Sequence, residues 1–427
     1  MRIIFSICLV MISGFIFAQD TLQVMQYNLL HYGNYFDDCN SSSNNVNTKN
    51  AHLKTIIKYV NPDIFTVNEL SENTSYHQMI LDQVLNTDGV NTYRKAVSFN
   101  FADSYIVNML YYNHQKLALY SQDVVHAAIR DIDVYTLYYK AGDLGQTHDT
   151  AFITCFVAHL KAGNYDNSAS QRAGMVASAM TYIRNHDLPG NLLFMGDLNI
   201  YTSAEQAYIN LTYTYNGQRY FYDPINREGN WNNNSSFKDV HTQSTHANHV
   251  DCFSYGGMDD RFDWILASEA LLNGSEDILL LEDTYQALGN DGQHFNKSIT
   301  DAPENTSAPR EIIDALYGMS DHLPVLVKLE IDASLDVEEL AGNISSLRFA
   351  NPTDALLNYR LQLEKPQSTA LRIYDVYGRL HYFETIEASS MHHEGMIDLS
   401  HLSDGFYLWV ATDELGKTFS KKFILKK

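Results

Sequence analysis

Residues 191–199 read NLLFMGDLN: four apolar residues, a glycine, then Asp197 and Asn199. A short apolar run bounded by turn residues reads as a buried strand. Polar groups at the end of such a strand point into a cleft more often than into the core. Asp197 and Asn199 stand two apart, so on a strand they share one face and can act on one bound group. The run follows a Pro189-Gly190 turn and an amphipathic stretch, Ser168 to Asn185, with helical spacing.

The same grammar recurs along the chain in a fixed order. LQVMQYN ends on Asn28, DIFTVNEL carries Glu69, FITCFVAHL carries His159, RFDWIL is interrupted by Asp263, and SDHLP holds Asp321 and His322. Residues 49–59 (KNAHLKTIIKY) and TSYHQMILDQVLN read as helices, with the Asn61-Pro62-Asp63 turn stopping the first. NMLYYN, LALYS and VYTLYYKAG read as strands. Strands alternating with helices from Thr21 to about Ile331 predict a layered α/β domain.

Each of these polar residues alone is ordinary turn chemistry. Together they are the kit of a metal-assisted phosphoesterase, which needs a cation on the phosphate, an activated water and help for the leaving oxygen. Glu69 is the hard carboxylate for the metal, and Asn28 adds a neutral oxygen or fixes Glu69. Mg²⁺ suits them, with Mn²⁺ or Ca²⁺ as alternatives. His322 is the candidate general base, with Asp263 holding its imidazole. Asp321, adjacent in an extended segment, should point elsewhere and serve the metal. His159 is placed to donate to a non-bridging or leaving oxygen.

These motifs resemble the endonuclease/exonuclease/phosphatase superfamily, which includes DNase I-like nucleases, sphingomyelinases and inositol-phosphate phosphatases. The resemblance spans roughly residues 21–331. It implies a four-layered α/β sandwich, two packed β-sheets with helices outside, and divalent-metal phosphoesterase chemistry. Motif by motif, Asn28 and Glu69 fall at metal-site positions and Asp321 at an adjacent acid. His159 falls at the phosphate-contacting histidine, Asp197 and Asn199 at the GDxN pair, and Asp263 and His322 at the carboxylate–histidine dyad. One position departs from the DNase I-like pattern. Val107 stands where a glutamate would support the first histidine, with Asn108 the nearest polar substitute. The expected substrate is extracellular nucleic acid. Lipid or small phosphoesters are the alternative, and a catalytically silent surface-binding protein is a third reading.

Residues 210–257 break the alternation. Their aromatics, Tyr220, Phe221, Tyr222 and Trp231, predict an ordered loop over the active site, and HTQSTHANH (His241, His246, His249) a polar lining of the cleft. The same applies less strongly to residues 283–312. Cys155 reads as a buried small hydrophobe. Cys39 and Cys252 lie in polar loops, where sequence leaves a disulfide open.

The ends of the chain read as export signals. Arg2 and the apolar run IIFSICLVMISGFIFA form a signal peptide over residues 1–18, with an anchoring helix as the alternative. The catalytic region is expected over 20–332 and a linker over 333–348. Beyond it, LNYRLQLEK, ALRIYDVYGRL, GFYLWVATD and KTFSKKFILKK are short alternating strands of a small all-β sandwich at 349–427. NPTDALLNYRL, LRIYDVYGR, IDLSHLSDGFYLWV and the terminal KKFILKK resemble the C-terminal sorting domain of type IX secretion substrates in Bacteroidetes. That implies the type IX secretion machinery as partner and a secreted or cell-surface location. No stretch after the leader is long and apolar enough for a stable membrane span, and a monomer is expected. A small adhesive or carbohydrate-binding sandwich is the alternative.

Charge is the last constraint. Residues 349–427 hold 9 Lys/Arg and 10 Asp/Glu, a net of -1, and the rest of the chain 20 and 41, a net of -21, so the acidity sits with the candidate site. This argues against a basic groove that grips nucleic acid by counterion release. A divalent cation inverts the local field where a phosphate must bind.

Overall fold

The computed structural model describes residues 20–331 and 344–427, apart from 37–38, 126–128, 141–149, 166, 187, 189, 216–217, 350–352, 376–377, 388–389, 415 and 417. The expected leader and most of the expected linker lie outside the described residues.

The α/β part holds strands β1 (Asp20–Tyr32), β2 (Ile64–Ser71), β3 (Tyr93–Lys95), β4 (Ile106–Asn113), β5 (Leu117–Val125), β6 (Ile132–Tyr139), β7 (Phe152–His159) and β8 (Leu192–Asp197). It continues with the short hairpin β9 (Thr214–Tyr215) and β10 (Gln218–Arg219), then β11 (Asp263–Ala267), β12 (Ile278–Ala287) and β13 (Val325–Ile331). Helices α1 (Val46–Val60), α2 (Thr74–Ile80), α3 (Ser168–Asn185), α4 (Gln206–Thr212), α5 (Glu269–Asn273) and α6 (Arg310–Met319) connect them. One sheet runs β12-β13-β1-β2-β4-β3 and the other β11-β8-β7-β6-β5.

Period-2 patterning explains why the two sheets face each other with helices outside. On β7, Ile153, Cys155 and Val157 join the core shared with the first sheet, to which that sheet gives Val24, Ile64 and Leu110. The alternate residues Phe156 and Ala158 turn outward onto Met175, Val176 and Ala179 of α3. β8 repeats this with Leu193 and Met195 inward, Leu192 and Phe194 outward. Such alternation buries both faces of a sheet. On the other side α1 and α6 pack together and bury Leu53, Ile56, Ile312 and Leu316 on the outer side of the first sheet. This is the four-layered α/β sandwich expected from the sequence. α1 is bounded by chemistry visible in the sequence: Asn45 accepts from the Asn47 and Thr48 N–H groups, and Asn61 ends the helix in the left-handed region.

The C-terminal region is all-β. Strands β14 (Ile344–Phe349), β15 (Leu356–Leu363) and β18 (His392–Asp398) form one sheet, with β15 central. Strands β16 (Ser368–Asp375), β17 (Leu380–Glu387), β19 (Gly405–Asp413) and β20 (Thr418–Leu425) form the other in the order β17-β16-β19-β20. On β15, Leu357, Tyr359, Leu361 and Leu363 are buried and the alternate residues are exposed. They share one core with Leu371, Ile373, Trp409 and Phe423 of the four-stranded sheet.

Two segments differ from the sequence expectation. Phe221 and Trp231 do not cover the active site. Both are fully buried in the outer core, where Trp231 stacks edge-on against Trp264 and Tyr208. Aromatic side chains in a loop suggest a lid, but burying large apolar surface is the stronger drive. The segment after β12 is stapled by His294: Nδ1 lies 2.8 Å from Asp291 Oδ1, and Nε2 is 3.0 Å from the carbonyls of Asp301 and Pro303. Burial disfavours a charged His294, but the bond to Asp291 and these carbonyls outweighs it and raises its pKa. The staple is therefore complete below the ordinary histidine range and is lost as pH rises through the raised value. A charge-assisted bond of this kind is worth about 1.5–3 kcal/mol. Calorimetric melting from pH 6 upward is expected to show a falling Tm that flattens in a His294→Gln variant; parallel curves would refute the assignment.

Candidate active site

The chemistry-bearing strand ends meet in one cavity of about 350 Å³, lined by His31, Glu69, His159, Asp197, Asn199, Gln243, Asp321 and His322 among others. Strand register brings them there. His159 pairs with Asp197 across the parallel β7–β8 ladder, and Asp263 pairs with Asp197 across the antiparallel β8–β11 ladder. Three candidate side chains therefore form one row across the second sheet. Gly196 permits the closeness of β7 and β8, since a Cβ there would sit 1.7 Å from the Ala158 carbonyl oxygen. The first sheet adds Asn28 and Glu69. Register shifts after Asn28 on β1 and between Val67 and Leu70 on β2 mark bulges, and Glu69 has φ 56°. A bulge re-aims a side chain that regular pleating would point elsewhere. Positive φ in a non-glycine residue is a strained arrangement that clusters at functional sites.

Asn28 sits between the two acids. Its Nδ2 lies 3.1 Å from Glu69 Oε1 and 2.9 Å from Asp197 Oδ2, while its Oδ1 accepts from the Leu30 N–H at 2.9 Å. Of the two roles open to Asn28, fixing Glu69 is the geometry present. Glu69 Oε2 also accepts from the His31 N–H at 3.0 Å. Lys49, fully buried beneath this loop, donates to the Leu30 carbonyl and Asn44 Oδ1 at 2.7 Å each; burial pushes its pKa down to about 7 against the pull of Asp321 and Glu69.

Glu69, His159 and Asp197 each offer one ligand atom, all within 4.8 Å of one another. His159 Nε2 is 3.5 Å from Asp197 Oδ2 and 3.8 Å from Glu69 Oε1. Burial, with help from Arg130, holds His159 well below the ordinary histidine range, so its imidazole is neutral and has a lone pair to give. Its buried Nδ1 has no hydrogen-bond partner among the described residues. Burial and the neighbouring Asp263 and Glu69, opposed by His322, push Asp197 up to about 7. Two acids and a neutral imidazole converging on one point fit a divalent cation, which would relieve this repulsion. In this arrangement His159 and Asp197 stand with Glu69 in the ligand cluster. Asp321 instead accepts from the Ser254 N–H and from Gln243 Nε2, each at 3.2 Å.

The dyad geometry is short and buried. His322 Nδ1 lies 2.7 Å from Asp263 Oδ2. Thr242 Oγ1 accepts from the Asp263 N–H, and Ser320 Oγ accepts from the His322 N–H while donating to the Asn28 carbonyl. Burial disfavours the charged imidazole, yet Asp263, Asp197 and Asp321 together hold His322 well above the usual range. Its other nitrogen faces Gln243 Nε2 at 2.6 Å and Asp197 Oδ2 at 3.7 Å.

Asn199 lies past the end of β8 rather than on it. It has φ 50°, and its N–H donates to Asp197 Oδ1 at 3.1 Å. The pair shares the cavity through an Asx turn, not through strand alternation. Gln243 carries no distinguishing signal in the sequence, where it is one polar residue in HTQSTHANH. Of that segment's histidines, His241 is buried between the Met258 and Trp231 carbonyls, and His246 stacks on Tyr317. At the position that departs from the DNase I-like pattern, Asn108 does not reach His159: its Nδ2 donates to Asp133 Oδ2 at 3.0 Å and to the Val157 carbonyl at 3.1 Å.

Cys39 and Cys252 form a disulfide across a sequence separation of 213, and both line the cavity. Cys155 is free and buried. The bond ties the loop after β1 to the loop that carries Ser254. Cys39→Ser is expected to cost about 2–4 kcal/mol. A lowered Tm that matches reduced wild-type protein in calorimetry checks this, and an unchanged Tm would refute it.

Residues 349–426 match the family described as the secretion system C-terminal sorting domain. Among solved structures, the chain is similar to an endonuclease/exonuclease/phosphatase from Beutenbergia cavernae DSM 12333, with 11% identity over 95% of this chain and 100% of that one, TM-score 0.45. A humanized D. rerio TDP2 gives 13% identity over 72% and 98%, TM-score 0.44. The human Nocturnin catalytic domain gives 12% over 73% and 97%, TM-score 0.44. No curated protein matches the sequence. Among the described residues, no helix is long and apolar enough to cross a membrane.

Proposed function

We propose that the chain is an exported, divalent-metal-dependent phosphodiesterase whose substrate is extracellular nucleic acid. The observation that carries this is the buried Asp263–His322 pair at 2.7 Å, opening on the same cavity as the Glu69–His159–Asp197 cluster. Glu69 and Asp197 would hold Mg²⁺ as hard oxygen ligands, and the imidazole of His159 also admits Mn²⁺. Such a cation, when bound, neutralises phosphoryl charge and lowers the pKa of water.

The protein's own groups do the rest. Asp263 accepts from His322 Nδ1–H; with the carboxylate field that raises His322 offset by a cation on Glu69 and Asp197, Nε2 is free to accept a proton toward the cavity. Gln243 Nε2 lies 2.6 Å from that nitrogen, where an attacking water would have to stand. Asn28 keeps Glu69 and Asp197 aligned through one amide. Asn199, on the Asx turn beside Asp197, orients the water or a phosphoryl oxygen. Asp321 is better placed to anchor Gln243 and the Ser254 loop than to ligate metal. We read residues 1–18 as the signal peptide, 20–332 as the catalytic region and 333–348 as the linker. The C-terminal domain then hands a monomer to the type IX secretion machinery.

Net acidity weighs against a polyanion and keeps lipid or small phosphoesters as the second reading. Hydrolysis of supercoiled plasmid by the mature protein, with Mg²⁺ and with chelator, tests the choice. Metal-dependent nicking supports the nuclease. Turnover of a small chromogenic phosphodiester without nicking transfers the chemistry to the second reading. Turnover of neither refutes both.

A further inference from the structure

We infer that Asn68 is a positioning residue that fixes the three ligand-bearing strands to one another; the inference rests on the metal-centre reading above. Asn68 is fully buried on β2, immediately before Glu69. Its side chain crosses the interface between the two sheets. Oδ1 accepts from the Asp197 N–H at 2.8 Å and from Gln26 Nε2 at 2.6 Å. Nδ2 donates to the Ala158 carbonyl at 3.2 Å and to Asn108 Oδ1 at 2.7 Å. A primary amide has two donors and two acceptor sites, and here all four are used.

The partners identify the role. Asp197 is a candidate ligand, Ala158 precedes the candidate ligand His159, and Glu69 follows Asn68 itself. One side chain therefore touches the backbone at or beside all three ligands, which come from three strands in two sheets. Beyond it, Asn108 carries the polar seam to Asp133 and to the Val157 carbonyl. Apolar packing between sheets is non-directional and tolerates small slides, whereas four bonds from one planar amide do not. If filling space were all that mattered, apolar groups of the same shape would serve about as well. An amide with every bond made, placed beside every ligand strand, instead sets the ligand spacing.

The test uses the full chain and Mn²⁺ alone as the probe in isothermal titration calorimetry. Asn68→Ala is expected to weaken Mn²⁺ binding about 10–100-fold, the usual cost of removing a group that supports metal ligands. Asn191→Ala removes a buried amide that bonds the Phe152 and Glu276 carbonyls at the far end of β7 and β8, outside the seam, and is expected to bind Mn²⁺ like wild type. If Asn68→Ala does not fold, Asn68→Ser takes its place and is read the same way. Wild-type affinity in the Asn68 variant overturns the inference. Equal losses in both variants also overturn it, because they would report general loosening. Failure of the wild-type chain to bind Mn²⁺ removes the metal-centre reading itself, and is distinguished by appearing before any substitution.

Discussion

His322→Ala is expected to lower kcat by about 10²–10⁴-fold, the usual contribution of a positioned general base. The fold should survive, because His322 sits in a loop between α6 and β13, the Asp263 N–H keeps Thr242 Oγ1, Ser320 Oγ keeps the Asn28 carbonyl, and the buried Asp263 carboxyl, left without its imidazole, takes up a proton. Metal binding should survive as well, since the ligand atoms of Glu69, His159 and Asp197 lie within 4.8 Å of one another without it. The prediction is thus a split: turnover lost, Mn²⁺ affinity kept. Single-turnover rates and calorimetric titration on the same preparation read both. A variant that keeps more than a tenth of wild-type kcat would remove His322 from the role of base. Asp263→Asn should follow it in direction. The introduced amide could still hold the ring, but the site would lose the anion that stabilises imidazolium as the proton is taken.

Glu69→Gln reverses the split. The substitution preserves shape but turns one acceptor oxygen into a donor, so only one of the bonds from Asn28 Nδ2 and the His31 N–H is kept, and it removes one of the two carboxylates that could face the cation. Loss of several kcal/mol of charge stabilisation corresponds to about 10³-fold or more in rate at ordinary metal concentration. Because the defect lies in binding the ion, raising Mg²⁺ or Mn²⁺ should recover part of the activity, which excess metal cannot do for His322→Ala. Chelation of the wild-type chain should give the same low rate as Glu69→Gln without metal. Activity indifferent to both chelator and substitution would overturn the metal-dependent reading, whatever the substrate.

These two outcomes bear on parts of the protein that were unequally legible. Period-2 apolar runs ending in Asn28, Glu69, His159 and Asp197 could be read locally, because strand alternation and turn chemistry act over a few residues. So could α1 and α3, from their spacing and from Asn61 or Pro189 beside their ends. The all-β C-terminal region was equally readable, since β15 alternates buried and exposed residues without a break.

What stayed hidden involves long separations or departures from regular geometry. The bulge that gives Glu69 φ 56° is a response to the ladder on either side of it, and no local pattern announces it. Asn199 looked like a strand residue because GDLN has strand spacing, but β8 ends at Asp197. Gln243 gained its position only when its loop met SDHLP. The Cys39–Cys252 bond needed two loops to be brought together across 213 residues. Asn68 looked like an incidental neighbour of Glu69 until two sheets closed on it. Sequence by itself determined which candidate residues stand at strand ends and which strands present them, because those choices follow local periodicity. Tertiary structure alone decided that His159 stands with Glu69 and Asp197, while Asp321 turns to Gln243 and Ser254. Sheet-to-sheet distance and cross-strand register arise only when the whole apolar core is buried at once.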